Sequence, residues 1–270
     1  MSDHHARPGE DPPLSPESHD GAGIESGEDA DTVADRDGEG ADAGPATRPV
    51  RTLLQGVDVT DFPLITPMAE RGRVRRITEI GEPVLHRPCQ EVREFGTREL
   101  ADLIDDMFTT MLVAEGVGLA ANQVGVDLQV FVYDLTDGDG VRHVGHVLNP
   151  HIEVLSEETE EMTEGCLSVP GPGADLFRPY HVRLHGMDQE GESLEHEARG
   201  YLARCFQHET GHLQGQLYVD LLAKRVRKRI LAEMEDLRPE VLQRRTEVAQ
   251  HLGKEPADYP GQSALERATS

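Results

Sequence analysis

Tryptophan is absent from this sequence, aromatic residues make up 4% of its 270 positions, and there are only three cysteines. So little aromatic surface, with 37% hydrophobic residues overall, is lean for a chain folded throughout and predicts that part of it stays unfolded. Cys89, Cys166 and Cys205 are too few and too scattered for a disulfide framework. The expected setting is a reducing cytoplasm, in which a thiolate ligand survives. No apolar run follows a basic start and no stretch approaches a membrane span, so neither a signal peptide nor a membrane partner is expected. Positive charge is scarce too: 26 Lys and Arg stand against 51 Asp and Glu, a net charge of −25. That balance argues against a broad DNA-binding surface and against attraction to anionic lipid. Much of the acidic excess lies in the first fifty residues, where it serves solubility.

Residues 1–48 combine Asp, Glu, Gly, Ala, Pro and Ser without a hydrophobic period, and read as a disordered acidic tail that cannot offset its ordering entropy. Residues 49–73 carry short apolar groups and read as a linker or a strap against the domain. Folded character begins at Val74 and is expected to run to residue 238, with 239–270, starting at Pro239, a loosely attached C-terminal tail. Within the domain the strongest helix is Glu99 to Glu115, whose Leu100, Leu103, Ile104, Met107, Phe108, Met111 and Leu112 repeat at helical spacing, with Gly116 suited to the C′ position. A glycine-punctuated loop, Gly116 to Gly125, follows. Strands are expected at Leu128 to Leu135, Val144 to Leu148, Ile152 to Leu155, Tyr180 to Met187 and Glu192 to Glu197. The acidic Glu157 to Glu161 stretch reads as a solvated edge or loop, and a further helix runs from about Leu221 to Leu237.

The most informative stretch is His208-Glu209-Thr210-Gly211-His212. On a helix, residues four apart share a face, so both imidazoles reach one metal ion, and Glu209 is placed to take a proton from a water activated there. Leu202, Cys205, Phe206, Glu209, His212 and Leu213 form one stripe, and Gly215 is a suitable stop. A catalytic metal ordinarily has three protein ligands and an open position, which leaves a third ligand to be found among Cys166, Cys205 and a carboxylate. Cys205 lies on the packed stripe and reads as a buried hydrophobe. Cys166, between Gly165 and Leu167 in a tight extended loop, stands evenly between ligand and structural cysteine. HExxH alone also admits an endopeptidase, although no downstream third ligand of a protease pattern follows. A module with a structural metal would need a fourth protein ligand.

Three segments together, Gly116-Val117-Gly118-Leu119-Ala120-Ala121-Asn122-Gln123, Glu164-Gly165-Cys166-Leu167-Ser168 and Gln207-His208-Glu209-Thr210-Gly211-His212, resemble the signature motifs of the peptide deformylase family, in order and at compatible spacing. The resemblance spans about residues 74–235. It implies an α+β fold of mixed and antiparallel sheets around a central HExxH helix, with an additional N-terminal helix and a C-terminal helix. The implied reaction is removal of the N-formyl group from nascent polypeptides that begin with formyl-methionine, releasing formate. By the same resemblance Cys166, His208 and His212 bind one divalent metal, ferrous iron first, with zinc or nickel able to substitute. Glu209 acts as general base, and the Gln123 side chain with the Leu167 backbone N–H stabilises the oxyanion. Gly118 admits the substrate backbone, while Val117, Leu119 and the helix face at Cys205 line the methionine pocket. Glu164 and Arg178 look like a buried pair behind the cysteine loop.

Departures from the family pattern are local. Gly211 stands where an acidic residue is common, at a cost of about 1 kcal/mol inside a helix. Arg204 replaces an apolar residue and is expected to narrow or polarise the pocket mouth. The run Gly171-Pro172-Gly173-Ala174 lacks the basic residue some members use on substrate. The basic Lys224-Arg225-Val226-Arg227-Lys228-Arg229 patch is the candidate for transient ribosome contact.

Overall fold

The computed structural model describes residues 50–260; the acidic tail expected at 1–48 lies outside the described residues. The first described elements are β1 (Thr52–Leu54), β2 (Val57–Val59) and the short helix α1 (Pro67–Arg71), all from the segment read as a linker or strap. They are built into the fold: β1 pairs with a later strand, and α1 is tied down by the Arg71–Asp105 ion pair. The buried Arg142 guanidinium bonds the Asp134 carboxylate and the carbonyls of Pro63 and Leu64, which fixes the connection between β2 and α1.

Helix α2 (Arg98–Val113) starts where Thr97 Oγ1 accepts the Leu100 N–H, satisfying one of the four unpaired donors at a helix start. Its expected apolar face is buried in full from Leu100 to Met111. The stop differs from expectation. Glu115, not Gly116, takes the left-handed position at φ 54°, with Gly116 N bonding Met111 O and Glu115 N bonding Leu112 O. Gly116 is needed for a different reason: a Cβ there would press on the Leu167 side chain at 2.8 Å.

Strand β3 (Gly118–Ala120) and a 3-10 turn (Ala121–Val124) occupy the segment expected to be a loop. Strands β4 (Val130–Thr136), β5 (Arg142–Val154), β8 (His181–Met187) and β9 (Ser193–Arg199) join β1–β3 in a seven-stranded sheet. Strand β5 is its spine. Its first half pairs with β4 and β1, and after an irregularity between Leu148 and His151 its second half pairs with β8. Strands β6 (Thr159–Cys166) and β7 (Val169–Pro179) form a separate hairpin whose tip is Leu167-Ser168. The acidic stretch expected to be a solvated edge or loop leads into strand β6 of this two-stranded sheet, with Glu160 opposite Arg178.

Alternation along the strands sorts the core into two layers. Val130 and Val132 face α2, while Phe131, Tyr133 and Leu135 face the other side. There they meet α3 (Gly200–Leu213), the HExxH helix, whose Phe206 ring lies 5.1 Å from Tyr133 edge-on. Helix α4 (Lys224–His251) passes the expected end near Leu237 by more than three turns and contains Pro239. Proline removes one helix N–H, yet Leu242, Arg245 and Ala249 continue a buried stripe, and packing overrides the local break. The loose tail expected from 239 is thus helical to His251, and Tyr259 beyond it is buried with Ile77 and Leu242.

Candidate metal centre

Three elements deliver the site. Helix α3 carries His208, Glu209 and His212; the β6–β7 tip carries Cys166 and Leu167; β3 and the turn after it carry Gly118 and Gln123. The expected stripe on α3 is buried throughout from Leu202 to Leu213, with His208 half-buried beside it, and Gly215 follows the helix at φ 78°. Ligand atoms of Cys166, His208 and His212 all lie within 4.8 Å of one another, with Cys166 Sγ 3.1 Å from His212 Nε2. Metal bonds of 2.0–2.3 Å in a tetrahedron would set such atoms about 3.4–3.8 Å apart, so the donor set fits a single divalent ion.

Glu164 organises the donors from behind. Its carboxylate is buried, accepts from Arg178 Nε and Nη2 at 2.8 Å each and from Arg204 Nη1 at 2.7 Å, and lies 3.1 Å from His208 Nδ1. Burial works against ionisation there, but Arg178 and His208 hold the carboxyl far below the usual carboxylate range. With Nδ1 engaged, His208 turns Nε2 toward the sulfur side, the arrangement by which a carboxylate orients a metal-binding imidazole. Burial opposes a charge on His208, yet the Cys166 sulfur and Glu164 raise it to about 10. Burial and then His208 push His212 well below its ordinary value.

Arg204 lines the cavity, with its guanidinium engaged behind it. Its buried guanidinium bonds Glu164, Leu176 O at 3.0 Å and Glu160 O at 2.6 Å, cross-linking α3 to the β6–β7 hairpin.

Glu209 is buried beside the ligands, and among the described residues its Oε2 has no hydrogen-bond partner. Burial pushes it up to about 7, with His208 opposing and Glu164 adding to the rise. Its carboxylate lies against Gly118, where any Cβ would collide with it and approach Cys205 Sγ at 3.0 Å. Gln123 is held with its amide nitrogen inward: Oε1 accepts the Ala120 N–H at 2.9 Å, while Nε2 bonds Ser168 Oγ at 3.2 Å and sits 3.6 Å from Cys166 Sγ.

A cavity of about 350 Å³ opens onto these groups, lined in part by Val117, Gly118, Gln123, Leu167, Cys205 and Glu209. Leu119 is not among its walls. On β3 it points opposite to Gly118 and is wholly buried against α2, so alternation removes it from the expected pocket. Cys205 lines the cavity as a buried thiol whose ionisation is suppressed by burial. Val241 and Arg245 of α4 also form a wall, although the sequence reading placed them in a tail. Their signal was the Leu242–Arg245–Ala249 spacing, masked by Pro239.

The sequence pattern described as polypeptide deformylase matches residues 74–228. The chain belongs to the polypeptide deformylase family. It is similar to peptide deformylase 1 of Streptomyces avermitilis, 50% identical over 173 residues, which cover 63% of this chain and 80% of that one. The peptide deformylase of Hahella chejuensis is 46% identical over 160 residues, 59% of this chain and 94% of its own. Among solved structures, peptide deformylase from Ehrlichia chaffeensis in complex with actinonin aligns at 34% identity with a TM-score of 0.56, covering 61% of this chain and 97% of that one. The chain is therefore a metal-dependent hydrolase that removes the N-formyl group from nascent polypeptides. Among the described residues, no helix is long and apolar enough to cross a membrane.

Proposed function

We propose that Cys166, His208 and His212 hold one divalent metal, ferrous iron with zinc or nickel as substitutes, and that the substrate is an N-formyl-methionyl nascent chain in the cytoplasm. The observation that carries this reading is the convergence of one sulfur and two imidazoles beside an unpaired buried carboxylate. The ion, when bound, supplies a Lewis acid that polarises the formyl carbonyl and makes water a nucleophile near neutral pH.

Glu209 takes the proton of the attacking water as the new C–O bond forms at the formyl carbon. As the C–N bond breaks and its electron pair moves to nitrogen, Glu209 returns that proton to the leaving amine, giving formate and a free N-terminus. A position near 7 suits both halves of that exchange. Gln123 Nε2 and the Leu167 N–H donate to the oxyanion, each worth about 3–4 kcal/mol of barrier. Gly118 lets the substrate backbone approach in extended form, and Val117 and Cys205 receive the methionine side chain. Glu164 with Arg178 and Arg204 orients His208.

In this reading α3 is the central element of the catalytic domain. The exposed Lys224, Arg225, Lys228 and Arg229 of α4 are the surface for transient ribosome contact; reversing all four charges should weaken co-sedimentation with ribosomes, and unchanged co-sedimentation would remove that surface. The deciding experiment is formate release from a formyl-Met peptide by the metal-loaded protein and its Glu209→Ala variant. Release should fall by several orders of magnitude with metal content retained. Full activity in the variant would refute the assigned base.

A further inference from the structure

Arg245 is buried on α4, outside the 74–228 family match, and forms part of the cavity wall. Its Nη2 donates to Leu167 O at 2.9 Å and its Nη1 to Tyr259 Oη at 3.3 Å. Tyr259 Oη also accepts the Ile77 N–H at 3.3 Å, and Ile80 N bonds Ser168 O at 2.9 Å. Helix α4 is held in place around this contact by two further ion pairs. Arg238 bonds Glu79 at 2.7 Å, and Arg244 grips Glu115, the left-handed residue that ends α2, at 2.8 Å.

We infer that Arg245 is a positioning residue for the reaction: the C-terminal half of α4 fixes the direction of the Leu167 N–H through the Leu167 carbonyl. The inference rests on the reading of that N–H as an oxyanion donor. Leu167 sits at a hairpin tip, where the ladder ends at the Cys166–Val169 pair and supplies no hydrogen bond to hold it. On its N-terminal side the chain is anchored by the Cys166 sulfur. On its C-terminal side Arg245 holds the Leu167–Ser168 peptide plane through Leu167 O, and Ile80 N holds the next plane through Ser168 O. With the Leu167 carbonyl held, swinging of the adjoining Cys166–Leu167 peptide is limited, and its N–H is aimed before substrate arrives, which is what makes a donor effective in a transition state. Without the guanidinium, the tip is retained by Ile80 N and by packing of the Leu167 side chain against Gly116, and the donor wanders. Arg245 thus acts through Leu167 rather than on substrate.

The test compares wild type with Arg245→Met in the full-length, zinc-loaded protein. Three readouts are taken: formate-release kinetics, zinc per chain, and hydrogen exchange at the Leu167 amide. The variant should lose about tenfold or more in kcat, with KM within about twofold, zinc per chain unchanged, and Leu167 exchange at least about tenfold faster. Tyr259→Phe, which frees Nη1 but keeps the Leu167 bond, should show a smaller loss of kcat in the same direction. A folded Arg245→Met with wild-type kcat, or a kcat loss matched by zinc loss without faster Leu167 exchange, overturns the assignment. Should Arg245→Met not fold, Arg245→Gln carries the same expectation and the same overturning result. Failure of the wild type to release formate would instead overturn the functional reading itself.

Discussion

Glu164 Oε2 lies 3.1 Å from His208 Nδ1, and the same carboxylate accepts from Arg178 and Arg204, so one buried anion on β6 sets the orientation of an imidazole on α3. Removing the charge while keeping the shape should loosen that imidazole. Glu164→Gln is expected to weaken metal affinity by about 10–100-fold, measured by competition with a chelator of known affinity. Unchanged affinity would mean that His208 is oriented by packing alone.

Leu119 belongs to the core and not to the substrate cavity. Leu119→Ala should cost about 2–5 kcal/mol in denaturant unfolding, in line with a wholly buried leucine. Metal-loaded enzyme that remains folded should keep its KM for formyl-Met peptides. A large rise in KM with little change in stability would return Leu119 to the pocket.

Gly211 sits inside α3 with room for a methyl group: the nearest atom to an added Cβ is Gln216 O, at 3.5 Å. Gly211→Ala should therefore gain about 0.5–1 kcal/mol and raise Tm by about 2–4 °C. A drop in Tm would show that the ligand-bearing turn needs the glycine.

His146 gives the fold an acid limit. Burial pushes its ring down to about 4, Asp188 only partly opposing, and Nε2 accepts the Gln189 N–H at 3.1 Å. Its folded value lies below the unfolded one, so the unfolded chain takes up the proton first as pH falls. The stability it contributes is complete above about pH 6.5 and declines between there and about pH 4, by about 3 kcal/mol in all. Denaturant unfolding from pH 7 to 4.5 should show this decline, and His146→Gln should flatten it. An equal slope in the variant would place the acid sensitivity elsewhere.

Legibility in the sequence followed how local each signal was. The α2 and α3 stripes and the HExxH pair were readable because helical period acts within a few residues. Strand β7 was not, because Val169 to Pro179 is rich in Gly and Pro and pairs only through its hairpin with β6. The partners that hold the Arg204 guanidinium, Glu164, Glu160 O and Leu176 O, were not legible because they lie some thirty to forty-five residues away in sequence. Pro239 gave a true local signal for a break, overruled by burial of Leu242, Arg245 and Ala249. The third ligand was open on physical grounds, since Cys166 stood evenly between ligand and structural cysteine even with Cys205 assigned to the packed stripe. The fold brings the Cys166 sulfur within 4.8 Å of both imidazole donors and turns Cys205 to the cavity wall.

X-ray absorption at the zinc edge of the zinc-loaded protein tests the centre most directly. One sulfur at about 2.3 Å and two imidazole nitrogens at about 2.0–2.1 Å, with the sulfur lost in Cys166→Ser, is the expected first shell. A shell without sulfur, or one with two sulfurs, would contradict it.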